Sequence, residues 1–186
     1  MKTLLYRRPL WALGVIGFVL QGSLLRASDS NDGVVTLGDL KSRVPADWVE
    51  EVPYGPNIYR QYRLDPIDQD KEYTRVSVYS LGTEKATAAD HVKRWEGSFL
   101  PPEGRSMNEA VKLRKLTANG TTVTWLDIRG DYKGIPGDRA SPRGNFRMVA
   151  VYFDTPRGAY AITLFGPADT VGFYRKGFED WVKAFK

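Results

Sequence analysis

Asp127, Arg129 and Asp131 alternate along one stretch of the chain, with Tyr132 next to them. If that stretch is a strand, a period of two puts the three charged side chains on one face. Paired carboxylates perform acid–base work when their surroundings push their pKa values apart. An arginine between them equally makes an ion-pair row facing water. A second set is Arg60, Arg94 and Arg147, each beside an aromatic ring: Tyr59, Trp95 and Phe146. Guanidinium groups in such surroundings can hold anions, so Arg60, Arg94, Trp95 and Arg147 are the candidate binding residues. The same side chains are purely structural if they stack on the rings and pair with Asp90 or Glu96. No residue is assigned as catalytic.

His91 is the only histidine. A histidine can serve as a general base or metal ligand, but no nucleophile-elbow pattern accompanies this one. Its spacing makes it a surface residue of a helix. There is no cysteine, so nitrogen and sulfur ligands are nearly lacking, and neither metal nor cofactor is expected. Lys133 to Gly144 holds three glycines, two prolines and no apolar run. It is expected to be a long exposed loop. No Gly-Lys-Ser/Thr follows its glycines, so it is not a phosphate-binding loop.

These residues need elements to position them. Phe146 to Phe153 and Ala159 to Phe165 read as strands around the turn Asp154-Thr155-Pro156-Arg157-Gly158. Gly166-Pro167 then breaks the pattern, and Asp169 or Thr170 is the expected cap of a final helix. That helix lines up Val171, Tyr174, Phe178, Trp181, Val182 and Phe185 on one stripe. Upstream, Val34 to Leu37, Ile58 to Leu64 and Tyr73 to Leu81 read as strands, and Trp48 as a core residue. Thr87 and Asp90 open a helix whose buried face is Ala88, Val92, Trp95 and Phe99. Ala110 to Ala118 and Thr121 to Tyr132 are strands joined at Asn119-Gly120, a pair that tolerates positive φ.

The expectation is an α+β fold: an α/β/α sandwich around a mostly antiparallel sheet of about five to seven strands, with two main helices. Alternation points Val149, Val151 and Phe153 to one face and Phe146, Met148, Ala150 and Tyr152 to the other. Apolar residues on both faces call for a layer on each side.

Residues 1–27 read as a signal peptide. Lys2, Arg7 and Arg8 precede the short apolar run Leu10 to Leu20, and Ala27 offers a cleavage point before Ser28. The competing reading is an uncleaved membrane anchor, but the run falls short of the roughly 20 apolar residues that span a bilayer, which favours the signal peptide. Residues 28–33 read as a flexible leader and 34–186 as one domain. The whole chain carries 27 basic and 22 acidic residues, a net +5. Four of the basic residues (Lys2, Arg7, Arg8, Arg26) lie in the signal, leaving 23 against 22, or +1. A nearly neutral domain has no general electrostatic case for nucleic acid.

Pro45-x-x-Trp48, Arg60-Gln61-Tyr62-Arg63-Leu64, His91-Val92-Lys93-Arg94-Trp95, Arg147-Met148 and Phe165-Gly166-Pro167 together resemble a group of uncharacterised exported bacterial proteins. That group is in turn similar to the sandwich of the PsbP extrinsic protein and of the Mog-type nuclear-transport factor that binds the Ran GTPase. The resemblance implies the sandwich and an accessory rather than enzymatic role. The expected function is an exported, non-catalytic domain binding a protein or small ligand in the cell envelope, periplasmic or extracellular. It would touch the membrane only through its export signal. The alternative is a cofactor-independent hydrolase or lyase using Asp127, Asp131 or Tyr132 with an arginine.

Overall fold

The computed structural model describes residues 33–82, 86–134 and 142–186. The expected signal peptide therefore lies outside the described residues, as do the leader except Gly33 and the middle of the Lys133 to Gly144 loop. The elements run β1 (Val34–Leu37), β2 (Leu40–Arg43), β3 (Val49–Glu51), β4 (Ile58–Leu64), β5 (Thr74–Gly82), α1 (Ala88–Glu96) and β6 (Phe99–Leu100). They continue with α2 (Met107–Ala110), β7 (Val111–Ala118), β8 (Thr121–Tyr132), β9 (Arg143–Thr155), β10 (Gly158–Pro167) and α3 (Ala168–Lys183). Eight strands form one sheet in the order β3-β4-β5-β10-β9-β8, with β6 and β7 both pairing the outer side of β8. β1 and β2 form a separate hairpin. All these pairings are antiparallel.

The turns form where their chemistry allows. Asn119 and Gly120 both take positive φ, 45° and 81°, so β7 and β8 join in a two-residue hairpin. Gly166 and Gly130 meet a different demand. A Cβ on Gly166 would lie 2.3 Å from the Thr74 hydroxyl, and one on Gly130 would lie 2.0 Å from the Leu100 carbonyl oxygen. Neither strand can approach its neighbour with a larger residue there.

The two faces are apolar, as the alternation in β9 requires. Val149, Val151 and Phe153 join Val76, Val78, Trp125, Ile162 and Leu164 under α3. Phe146, Met148 and Ala150 join Leu126, Ile128 and Phe99 under Val92 of α1. Helix α3 lays Val171, Phe178, Trp181 and Val182 on the first face, and Phe185 follows them, fully buried. Trp181 meets Trp48 edge-on at 4.9 Å between ring centroids and Phe185 at 5.2 Å. The β1–β2 hairpin closes this layer. Ser42 donates a hydrogen bond to the Trp181 carbonyl at 3.2 Å, and Lys41 and Lys186 exchange backbone bonds of 2.8 and 3.1 Å.

Four expectations are corrected. The sheet has eight strands, not five to seven, because β3 and β6 have three and two residues and show no periodicity; the same shortness hides the small helix α2. Neither Asp169 nor Thr170 caps α3. The Asp70 carboxylate does so from the β4–β5 loop, accepting from the Thr170 N–H at 3.1 Å and its hydroxyl at 2.6 Å. Phe99 is a strand residue, because α1 stops at Glu96 with Gly97 as its C-cap. His91 is not on the surface: it lies three residues after Ala88 and four before Trp95, on the face of α1 turned to the sheet, 3% exposed, 5.5 Å from the Tyr152 ring and 5.7 Å from Trp95. The cap Thr87–Asp90 forms as a full capping box.

Candidate functional site

Strand β8 carries Val123, Trp125 and Asp127 in succession onto the α3 face. The first two fill the core, so the third delivers a carboxylate to the core margin, where its side chain is 6% exposed. A charge there needs partners. Two elements supply them. Arg147 of β9 forms a fork, Nε to Oδ1 and Nη2 to Oδ2, both 2.7 Å. Arg175 of α3 places Nε 3.2 Å from Oδ2. The hydrogen bonds that Arg147 donates to Asp127, together with that carboxylate's charge, raise the pKa of its guanidinium above the ordinary value, against the opposing effect of burial.

Arg129 lies directly across from Arg147 in the β8–β9 register. Like charges so placed repel, and each turns to its own acceptor. Arg129 donates to the Asn145 side-chain oxygen at 2.9 and 3.3 Å and reaches Asp169 of α3 at 3.6 Å. Asp131 accepts from the Asn145 backbone N–H at 3.0 Å. Together these groups pin α3 to the sheet along one flank.

Outside this network lies a groove of about 270 Å³, lined by Pro102, Arg105, Glu109, Ala110, Lys112, Asp127, Arg129 and Arg147. A wider cleft of about 570 Å³ shares Pro102, Arg105 and Arg129 with it and adds Asp131 and Asn145. Glu109 is engaged in the cap of α2, accepting from the Ser106 N–H at 2.7 Å and hydroxyl at 2.8 Å. Those bonds, helped by Arg105, hold its carboxyl below the usual range. Arg105 and Lys112 make no direct ion pair among the described residues. The groove's carboxylates are thus occupied, and its cations are in excess.

The four candidate binding residues do not converge. Arg147 joins the groove. Arg60 sits on β4 and pairs with Glu50 of β3 at 3.3 Å. Arg94 is exposed on α1, which packs on the opposite face, and Trp95 is half-buried there against Leu81 and Tyr152. Tyr132 also faces that side, its ring 4.7 Å from Phe165, away from Asp127. Sequence reasoning missed Arg105, Lys112 and Arg175. Asp127 gave the one usable signal, a carboxylate in step with Val123 and Trp125.

No protein-family model matches the chain, and no curated protein matches it. Among the solved structures similar to it are two of low sequence identity. One is a protein of unknown function from Pseudomonas aeruginosa, described as a putative regulator. It is 13% identical over 81% of this chain and 92% of that one, with a TM-score of 0.46. The other is the solution structure of the cyanobacterial PsbP protein from Synechocystis, 19% identical over 96% of this chain and 99% of that one, with a TM-score of 0.48.

Proposed function

We propose that the chain is an exported, non-catalytic domain that binds a protein or ligand partner in the cell envelope, and that the groove beside Asp127 belongs to its binding surface. The observation that supports this is the state of the groove's carboxylates. In the groove, Asp127 is forked by Arg147 and met by Arg175, and Glu109 caps α2 through one oxygen. A general base needs a lone pair aimed at its substrate, and both oxygens of Asp127, the more buried of the two, are directed at arginines. Arg105 and Lys112, by contrast, face the groove with their donors available for a partner.

The test is capture of partners from envelope extract by the tagged domain beginning at Ser28. We expect a partner that survives washing and is lost when Arg105 and Lys112 are both changed to glutamate. Turnover of an ester, amide or similar substrate that disappears in Asp127→Asn would establish the hydrolase or lyase reading instead. Export is tested by N-terminal sequencing of the exported protein. A start near Ser28 is expected, and an intact Met1 in the membrane fraction would overturn it.

A further inference from the structure

Strand β7 is the long open edge of the sheet. Its eight residues, Val111–Ala118, pair one for one with β8 and no register break. Among the described residues, no strand pairs its outer side, although at its first residue the Val111 N–H is taken up by the Met107 carbonyl of α2. The opposite edge strand, β3, has three residues. An open edge of β7's length is a template on which another extended chain can add.

The charges on β7 select what could add. Lys112, Arg114 and Lys115 are all basic, and the strand has no acidic residue. Arg114 is committed to Glu179 at 2.7 Å, whereas Lys112 and Lys115 make no ion pair among the described residues. Between them Leu113 is 59% exposed, a large apolar side chain left in water. At the start of the strand the groove adds Arg105 and Arg129, beside carboxylates already occupied. A second copy of this chain fits poorly. Two β7 strands pairing antiparallel about Arg114 would set that arginine against its own copy, and like charges opposite each other destabilise a sheet.

We infer that β7 takes an acidic, extended segment of a partner protein as an added strand. On the α3 face an acidic side chain of that segment lies opposite Lys112; on the other face an acidic one lies opposite Lys115 beside an apolar one that covers Leu113; and its end enters the groove toward Arg105. This inference rests on the binding reading above and names the chemistry of the partner.

The probe is a synthetic peptide matching β7 in length, with Glu at the positions that fall opposite Lys112 and Lys115 and Val at the position opposite Leu113. It is titrated into the isotope-labelled domain beginning at Ser28, with amide hydrogen exchange read along β7. We expect saturable binding that slows exchange of β7 amides. It weakens by about tenfold or more in Lys112→Glu/Lys115→Glu, a surface change that leaves the core untouched, and it weakens with added salt. The Lys/Val counterpart is expected not to bind. A peptide N-methylated on its alternate residues is also expected to fail, because it lacks the ladder donors. Three results overturn the inference: no protection of β7 at millimolar peptide, equal binding of the N-methylated peptide, or inorganic phosphate filling the groove while the peptide leaves the edge unchanged. If the lysine variant still captures its envelope partner, the binding reading stands and only this edge is excluded. If the unaltered domain captures nothing, the binding reading itself falls.

Discussion

Asp127 and Arg147 show how one buried charge organises its neighbours. With its side chain only 6% exposed, Asp127 cannot rely on water, so removing a partner costs more than the pair's net contribution. Arg147→Met is expected to destabilise the domain by about 2–4 kcal/mol, somewhat softened because Arg175 remains. The urea midpoint is the measurement; one unchanged from the parent protein would mean that solvent already satisfies Asp127. Glu179 offers a pH-dependent counterpart. The hydrogen bond from Arg114, reinforced by Lys183, lowers its pKa from 4.5 to about 2. A depressed folded-state value stabilises the protein above 4.5, and that contribution is lost as pH falls from 4.5 through about 2. Glu179 is partly covered but both of its partners reach into water, so the effect has the size of a surface pair, ~0.5–1 kcal/mol. Arg114→Gln is expected to flatten that part of the stability–pH curve, read from denaturant unfolding between those two pH values. An unaltered slope would assign the acid sensitivity to other carboxylates. Both Asp127 and Arg147 stood out in the sequence, but their pairing did not. It depends on the register between β8 and β9, which the length of the intervening loop does not dictate.

Helix α3 was the most legible element and also the one whose start was misread. Its stripe of Val171, Phe178, Trp181 and Val182 is buried as the spacing requires. Trp181→Ala is expected to cost roughly 3–5 kcal/mol, since the ring is enclosed by Trp48, Phe178 and Phe185. Thermal or denaturant unfolding reads this directly, and a shift within error would place Trp181 outside the core. The cap was not legible, because Asp70 lies 100 residues from Thr170. Local spacing sees only residues that are neighbours in sequence. Asp70→Ala is expected to cost about 1 kcal/mol, the ordinary price of a lost cap. Serine at position 70 should restore part of it; full stability in the alanine variant would mean that water serves as well. Helix α1 shows the reverse error. Its apolar spacing runs on to Phe99, past the end at Glu96, and the expectation of a surface His91 overlooked that the ring shares the face of Ala88, Val92 and Trp95.

At the scale of the molecule, the antiparallel α+β plan was readable because the long strands and both main helices repeat their patterns over many residues. The hairpins at Asn119-Gly120 and at Pro156 to Gly158 fixed which strands are neighbours. The order β5-β10-β9-β8 joins segments far apart in the chain, and nothing local encodes it. Nor could the groove be read, since it gathers Arg105, Lys112, Arg129 and Arg147 from four separate segments.

The meeting of the β1–β2 hairpin with α3 has a consequence for how the protein is made. The first described strands and the last helix cover the same core and bond to each other through Lys41 and Lys186. A ribosome delivers α3 after every strand of the sheet. Until it emerges, the face formed by Val76, Val78, Trp125, Val151 and Leu164 has no lid. Non-local contacts of this kind close slowly and leave apolar surface open meanwhile. Whatever machinery handles the nascent chain therefore meets this apolar face open until α3 has emerged.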